Sequence, residues 1–220
     1  MLKVAIKKRL KQFTLDVTFK MDDEIVVLFG PSGSGKTTIL NALAGLVRPD
    51  EGEIVRDQEV LFQNKKVFLP TKKRNVGYLF QDYALFPHMT VEKNITYGVP
   101  KRTMPEFLQQ WIQITGIQHL MKKYPNQISG GEKQRAALVR ALAPQPRLLL
   151  LDEPFSALDS TNRLRCQDEL QFIHRKWRVP IILVTHDEGE AIKLADRILY
   201  IEKGKIIKNK VKPKMKSQGL

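Results

Sequence analysis

Four short segments, residues 25–29, 76–80, 148–151 and 181–185, constrain the fold most. Three of them are apolar almost without a break, so a strand formed there is buried on both faces. Strands of that kind belong to a parallel sheet covered by helices on both sides, which makes the expected class α/β. Ligands of such sheets sit at the carboxyl ends of the strands. The residues after each segment therefore carry the information: Gly30-Pro31-Ser32-Gly33-Ser34-Gly35-Lys36-Thr37-Thr38, then Gln81, then Asp152-Glu153, then His186. Glycines, acids, an amide and an imidazole in those places are the groups of phosphate and hydrolysis chemistry.

The rest of the chain fills in the architecture. Phe13, Leu15, Val17 and Phe19 alternate with polar residues, which predicts an antiparallel edge strand in an N-terminal β subdomain. Between Gln81 and Leu148 the strand pattern lapses, and residues 105–119 and 132–143 read as helices of an inserted helical subdomain. After 198–201, the Glu202-Lys203-Gly204-Lys205 turn predicts a final hairpin, followed by a lysine-rich disordered tail from residue 208. The expected organisation is one domain over 1–220: a core of about 1–82 and 147–207, a helical part of about 83–146, and the basic tail 208–220.

At 220 residues and 25.3 kDa the chain is too short for two full domains. No apolar run approaches the roughly 20 residues of a membrane helix, and the N-terminus lacks the apolar stretch of an export signal, so the expected address is cytoplasmic. Cys166 is the one cysteine, which excludes an internal disulfide. The net charge of +14, with lysines gathered at both ends, suits nucleic acid, an anionic membrane surface or merely a solvated tail, and charge alone does not choose.

Residues 30–37 match the phosphate-loop pattern of glycine, four residues, glycine, lysine and threonine, between an apolar strand and an amphipathic helix. Glycines let the backbone amides turn inward on phosphate oxygens, the helix start favours negative charge, Lys36 reaches the terminal phosphates, and Thr37 offers a hydroxyl to magnesium. Asp152 supplies a carboxylate for the metal shell and Glu153 one to polarise water, with Pro154 ending the strand. Ser129-Gly130-Gly131-Glu132 is the pattern of a capping box, and equally of a second anion-binding helix start shared between two copies.

The loop, Gln81, Ile128-Ser129-Gly130-Gly131-Glu132, 148–153, Ser156-Ala157-Leu158-Asp159 and His186, in this order and spacing, resemble the ATP-binding subunit of an ABC transporter. The resemblance runs over about residues 2–207. It implies a P-loop NTPase (RecA-like) core and ATP hydrolysis with Mg2+. It makes Glu153 the general base, His186 a contact to the terminal phosphate, and Gln81 a ligand of magnesium or of the attacking water. It sets Ser129 and Gly131 against a partner copy's ATP and Asp159 at the seam of a homodimer. An aromatic that stacks on adenine is also implied. Phe13 is the nearest match, although it equally fits the stripe of its own strand. Ile128 replaces the family's usual leucine and Glu132 its usual glutamine.

Residues 81–91, rich in aromatic and apolar side chains, resemble the groove by which importer ATPases receive a short helix of their membrane permease subunits. Phe13-Thr14-Leu15-Asp16-Val17, Asn94-Ile95-Thr96-Tyr97-Gly98 and the compact helical subdomain are most similar to molybdate or tungstate importers, and sulfate, ferric iron and polyamine importers carry similar motifs. The implied location is the cytoplasmic face of the membrane, peripherally bound, with an extracytoplasmic solute-binding protein as an indirect partner. A C-terminal regulatory domain is not expected. A nucleic-acid-associated ABC ATPase is the alternative of another class, disfavoured because no coiled-coil or zinc insertion interrupts the cassette.

Overall fold

A computed structural model describes residues 1–99, 104–156 and 158–212. Ala157 and the end of the tail, with Lys214 and Lys216, lie outside the described residues. The chain forms two compact units, one from residues 1–70 with the described residues from 180 onward, the other from 71–179. In chain order the first unit contributes β1 (Leu2–Arg9), β2 (Thr14–Met21), β3 (Ile25–Phe29), α1 (Lys36–Ala44), β4 (Glu51–Arg56), β5 (Glu59–Gln63) and β6 (Val67–Phe68). The second contributes β7 (Val76–Leu79), α2 (Val91–Ile95), α3 (Glu106–Ile114), α4 (Gly130–Leu142), β8 (Leu148–Asp152) and α5 (Ser160–Trp177). The first is completed by β9 (Ile181–Thr185), α6 (Glu188–Leu194), β10 (Arg197–Glu202) and β11 (Lys205–Val211).

The strands of the first unit run in the order β6-β5-β4-β1-β2-β11-β10-β3-β9. β3 lies parallel to β9 and to β10, as strands without a polar face should. Every residue of β9, and all of β3 but Phe29, is buried. Helix α1 packs on β9, and α6 on β3 and β9. β1, β2, β4, β5 and β6 make the antiparallel part. β2 is not an edge strand as its alternation suggested: it pairs with β1 along its whole length, from Leu2↔Met21 to Arg9↔Thr14, and meets β11 at Lys205↔Asp16 on its other side. A period-2 pattern reports one buried face; it does not say whether the strand's hydrogen-bonding edges are occupied.

The basic tail begins later than its composition suggested. Lys208 and Lys210 sit within β11, opposite Tyr200 and Ile198 of β10. Pairing runs through backbone groups, which leaves the lysines exposed to water, and the Lys208 ammonium lies 5.4 Å from the centre of the Tyr200 ring.

In the second unit β7 and β8 pair in parallel from Val76↔Leu148 to Leu79↔Leu151. Helix α4 packs on β7, α2, α3 and α5. The helix expected over 105–119 stops at Ile114, and 118–120 form a separate short turn. Its buried Trp111 meets Trp177 of α5, ring centres 4.9 Å apart.

Candidate functional site

The parallel register sets Phe29 against Thr185, so the loop that starts at Gly30 and the turn that carries His186 leave neighbouring strands at the same end. A side chain at Gly30 would place its first carbon 2.1 Å from the Ile201 carbonyl oxygen, so only glycine fits there. Gly35 precedes α1 with φ 103°, which L side chains rarely adopt. The Phe13 ring is half-buried against Gly35, within 3.6 Å of where a β-carbon would stand there. Lys36 is buried, and its Nζ donates to the carbonyls of Gly30 (2.7 Å) and Pro31 (2.8 Å), which closes the loop on itself. Ser34 is buried with its hydroxyl unpartnered. Pro31, Ser32, Gly33 and Thr37 are exposed and Thr38 is half-buried.

His186 is exposed at the end of β9. The turn behind it is pinned: Thr185 Oγ1 donates to Glu190 (2.7 Å) and accepts from the Asp187 amide (3.0 Å), and Asp187 caps α6 by accepting from the Glu190 amide (2.9 Å).

In the second unit, β7 and β8 deliver Gln81 and the acid pair to one end of their shared register. Asp152 is buried as the last residue of β8. Burial, and secondarily the Asp152 charge, push the Tyr78 phenol well above its ordinary value. Glu153 follows with φ 44°, a backbone conformation uncommon for any residue with a β-carbon. Its carbonyl accepts from the Ser156 amide (3.3 Å) and hydroxyl (3.0 Å), and its carboxylate is 3.5 Å from the Gln81 amide nitrogen.

Helix α4 begins with the expected capping box. Ser129 Oγ accepts from the Glu132 amide (3.4 Å), while the Glu132 carboxylate accepts from the Ser129 amide (2.8 Å) and hydroxyl (3.0 Å). The Ser129 amide holds the Glu132 carboxyl below its ordinary value, with help from the Ser129 hydroxyl and from His119, whose Nε2 is 3.5 Å away. Gly130 is exposed and Gly131 buried. Asp159 caps α5, accepting from the amides of Thr161 (3.1 Å) and Asn162 (3.0 Å) and from the Asn162 side chain (2.6 Å). These bonds, the Asn162 amide foremost, hold the Asp159 carboxyl low.

Sequence reasoning missed two residues that shape the segment 81–91. Asn94, fully buried, accepts from the Phe86 amide (2.7 Å) and donates to the carbonyls of Phe86, Met89 and Thr90 (each 3.1 Å). Arg140 of α4 donates to the carbonyls of Ala84 (2.6 Å) and Tyr83 (2.7 Å), and its guanidinium lies 5.7 Å from the centre of the Phe86 ring. Nothing in the sequence marks the role of either, since both act on backbone groups of 83–90. Phe86, His88 and Tyr97 gather there, with Tyr97 exposed.

A glycine-rich loop that opens a lysine-led helix at the carboxyl end of a parallel strand defines a P-loop core of the α/β class. The chain belongs to the ABC transporter family, whose sequence model matches residues 13–156. It is 44% identical to the molybdate/tungstate import ATP-binding protein WtpC of Archaeoglobus fulgidus, over 96% of this chain and 88% of that one. It is 43% identical to the molybdenum import ATP-binding protein ModC of Pasteurella multocida, over 94% of this chain and 59% of the relative, so it spans about three fifths of that protein's length. Among solved structures it superposes on the dimeric, post-hydrolysis ATP-binding cassette MJ0796 bound to ADP and Pi with a TM-score of 0.81 and 28% identity, covering 96% of this chain and 98% of that one. The fold is therefore that of an ABC ATPase cassette. No helix of the described residues is long and apolar enough to cross a membrane, and no cluster of three or more His, Cys, Asp or Glu among them could hold a metal ion.

Proposed function

We propose that the chain is the ATP-hydrolysing subunit of a molybdate or tungstate importer, working as a homodimer against permease subunits at the cytoplasmic face of the membrane. The observation that carries the nucleotide reading is the loop 30–37 itself. Lys36 is a buried cation at the first position of α1, a helix start with no acidic residue in its first turn and no side-chain cap, and the buried Ser34 hydroxyl beside it lacks a partner. A helix start of this kind favours negative charge, and Lys36 adds positive charge to it. Phosphate answers both needs, and the Phe13 ring next to Gly35 offers a face to adenine.

The Thr37 hydroxyl, the Gln81 amide oxygen and the Asp152 carboxylate are hard oxygen donors of the kind magnesium takes, and they would hold it. Magnesium, when bound, neutralises charge on the β- and γ-phosphate oxygens. Glu153 accepts a proton from water as the water oxygen bonds to the γ-phosphorus and the bond to the β-phosphate oxygen breaks, leaving ADP and inorganic phosphate. Gln81 orients that water, which its place 3.5 Å from the Glu153 carboxylate supports. Lys36 and the loop amides stabilise the charge on the transferred group, and His186 donates to it. Ser129, Gly130, Gly131 and Glu132 serve the ATP held by the partner copy, and Asp159 lies at the seam. The aromatic segment 81–91 receives the permease.

The choice of solute rests on relatives named for molybdenum, molybdate or tungstate import, at 39–44% identity. The test is ATPase activity of the chain with its membrane partners in vesicles, given the cognate binding protein and molybdate, tungstate, sulfate or no solute. Stimulation by molybdate or tungstate and not by sulfate is expected. Stimulation by sulfate alone, or by none of the three, contradicts the assignment.

A further inference from the structure

The segment after Gln81 holds two successive non-glycine residues at positive φ, Tyr83 (62°) and Ala84 (44°). Such a conformation is strained for a residue with a β-carbon, so it persists only while its surroundings hold it. The Arg140 fork does so, with one nitrogen on each of the two carbonyls concerned and its plane against Phe86. Asn94 fixes the adjoining stretch 86–90 independently. The guanidinium thus bears directly on whether these two carbonyls keep their conformation.

Arg140 rides on α4, ten residues and about 15 Å along a continuous helix from the capped start at Ser129-Gly130. A turn or shift of that rigid helix moves the guanidinium, and with it peptide groups two and three residues beyond Gln81. We propose that Arg140 is a positioning residue that couples the glycine-rich start of α4 to Gln81 and the segment 81–91, so that an event at one is felt at the other. The coupling rests on the nucleotide-binding reading above. Lysine keeps the charge but cannot make the planar two-carbonyl fork. Ala84 is exposed with φ 44°, so glycine there removes strain without removing a buried contact.

The test is hydrogen exchange of the whole chain carrying Glu153→Gln, with and without ATP and magnesium, compared among Arg140, Arg140→Lys, and Arg140→Lys with Ala84→Gly. With Arg140, ATP is expected to change exchange in peptides covering 82–90 by about fivefold or more and to slow it in the loop 30–40. Both lysine variants should keep the slowing at 30–40 and lose the response at 82–90, while Ala84→Gly restores thermal stability. If Arg140→Lys alone does not fold, the double variant carries the comparison. An unchanged response at 82–90 in the lysine variants, or none with Arg140, overturns the coupling. A response that returns with Ala84→Gly overturns it too, since Arg140 would then only relieve strain. No slowing at 30–40 in any of the three would sink the nucleotide reading, and the coupling with it.

Discussion

Helices α1 and α4 both start at glycines, and the two starts are finished in opposite ways. Gly35 gives α1 no side-chain cap, no acid follows in the first turn, and a buried lysine occupies the first helical position. α4 is closed by its own residues, Ser129 and Glu132 each capping the other. The first start favours negative charge and leaves the buried Ser34 hydroxyl without a partner. The second is already satisfied, so an anion arriving there competes with Glu132 for the Ser129 hydroxyl and amide. Two different local geometries, a left-handed glycine before α1 and an extended serine before α4, thus yield one start open to an anion and one that must give something up.

Substitutions can sharpen or break that contrast. Of the substitutions at the two helix starts, Lys36→Ala should cost the most, lowering ATP turnover by about 10²–10³-fold through lost stabilisation of the transferred phosphoryl group, read from steady-state hydrolysis. Ser129→Ala should weaken the fold by about 1 kcal/mol through its lost cap, seen as an earlier denaturant midpoint with unchanged slope. If Ser129→Ala left stability untouched, the α4 start would not be self-satisfied and the contrast would fail.

Glu132→Gln should have the smallest effect, less than about 1 kcal/mol, because an amide oxygen can still accept from Ser129. Its sign with pH is fixed. The folded state holds this carboxyl low, so the charge contributes stability above the ordinary glutamate range and loses it as pH falls through the folded value. The parent's advantage over Glu132→Gln should be constant near neutrality and disappear in acid, as thermal unfolding between pH 7 and pH 3 can follow. An advantage that persisted in acid would remove the carboxylate from the argument.

Much of the site was legible because its chemistry demands particular residues at fixed spacing. The loop 30–37 tolerates little else, and the Ser129–Glu132 box announces itself by two side chains three apart. What stayed hidden depends on backbone atoms. Arg140 binds the carbonyls of Tyr83 and Ala84, and a carbonyl has no letter in a sequence. β2's second neighbour and the extension of the final hairpin's second strand through Lys208 and Lys210 were missed for the same reason, since pairing edges are blind to the side chains they carry. The left-handed turn at Glu153 is similarly silent, as Pro154 favours extended backbone before it.

The most direct test of the central claim, that this cassette binds ATP at the glycine loop and spends it through Glu153, is the mass in solution of the Glu153→Gln chain with ATP and magnesium, measured together with turnover. An ATP-dependent dimer is expected, absent with Lys36→Ala added, with hydrolysis reduced by about 10²–10⁴-fold. A Glu153→Gln chain that hydrolyses ATP at the parent rate, or that forms the same dimer without Lys36, would contradict it.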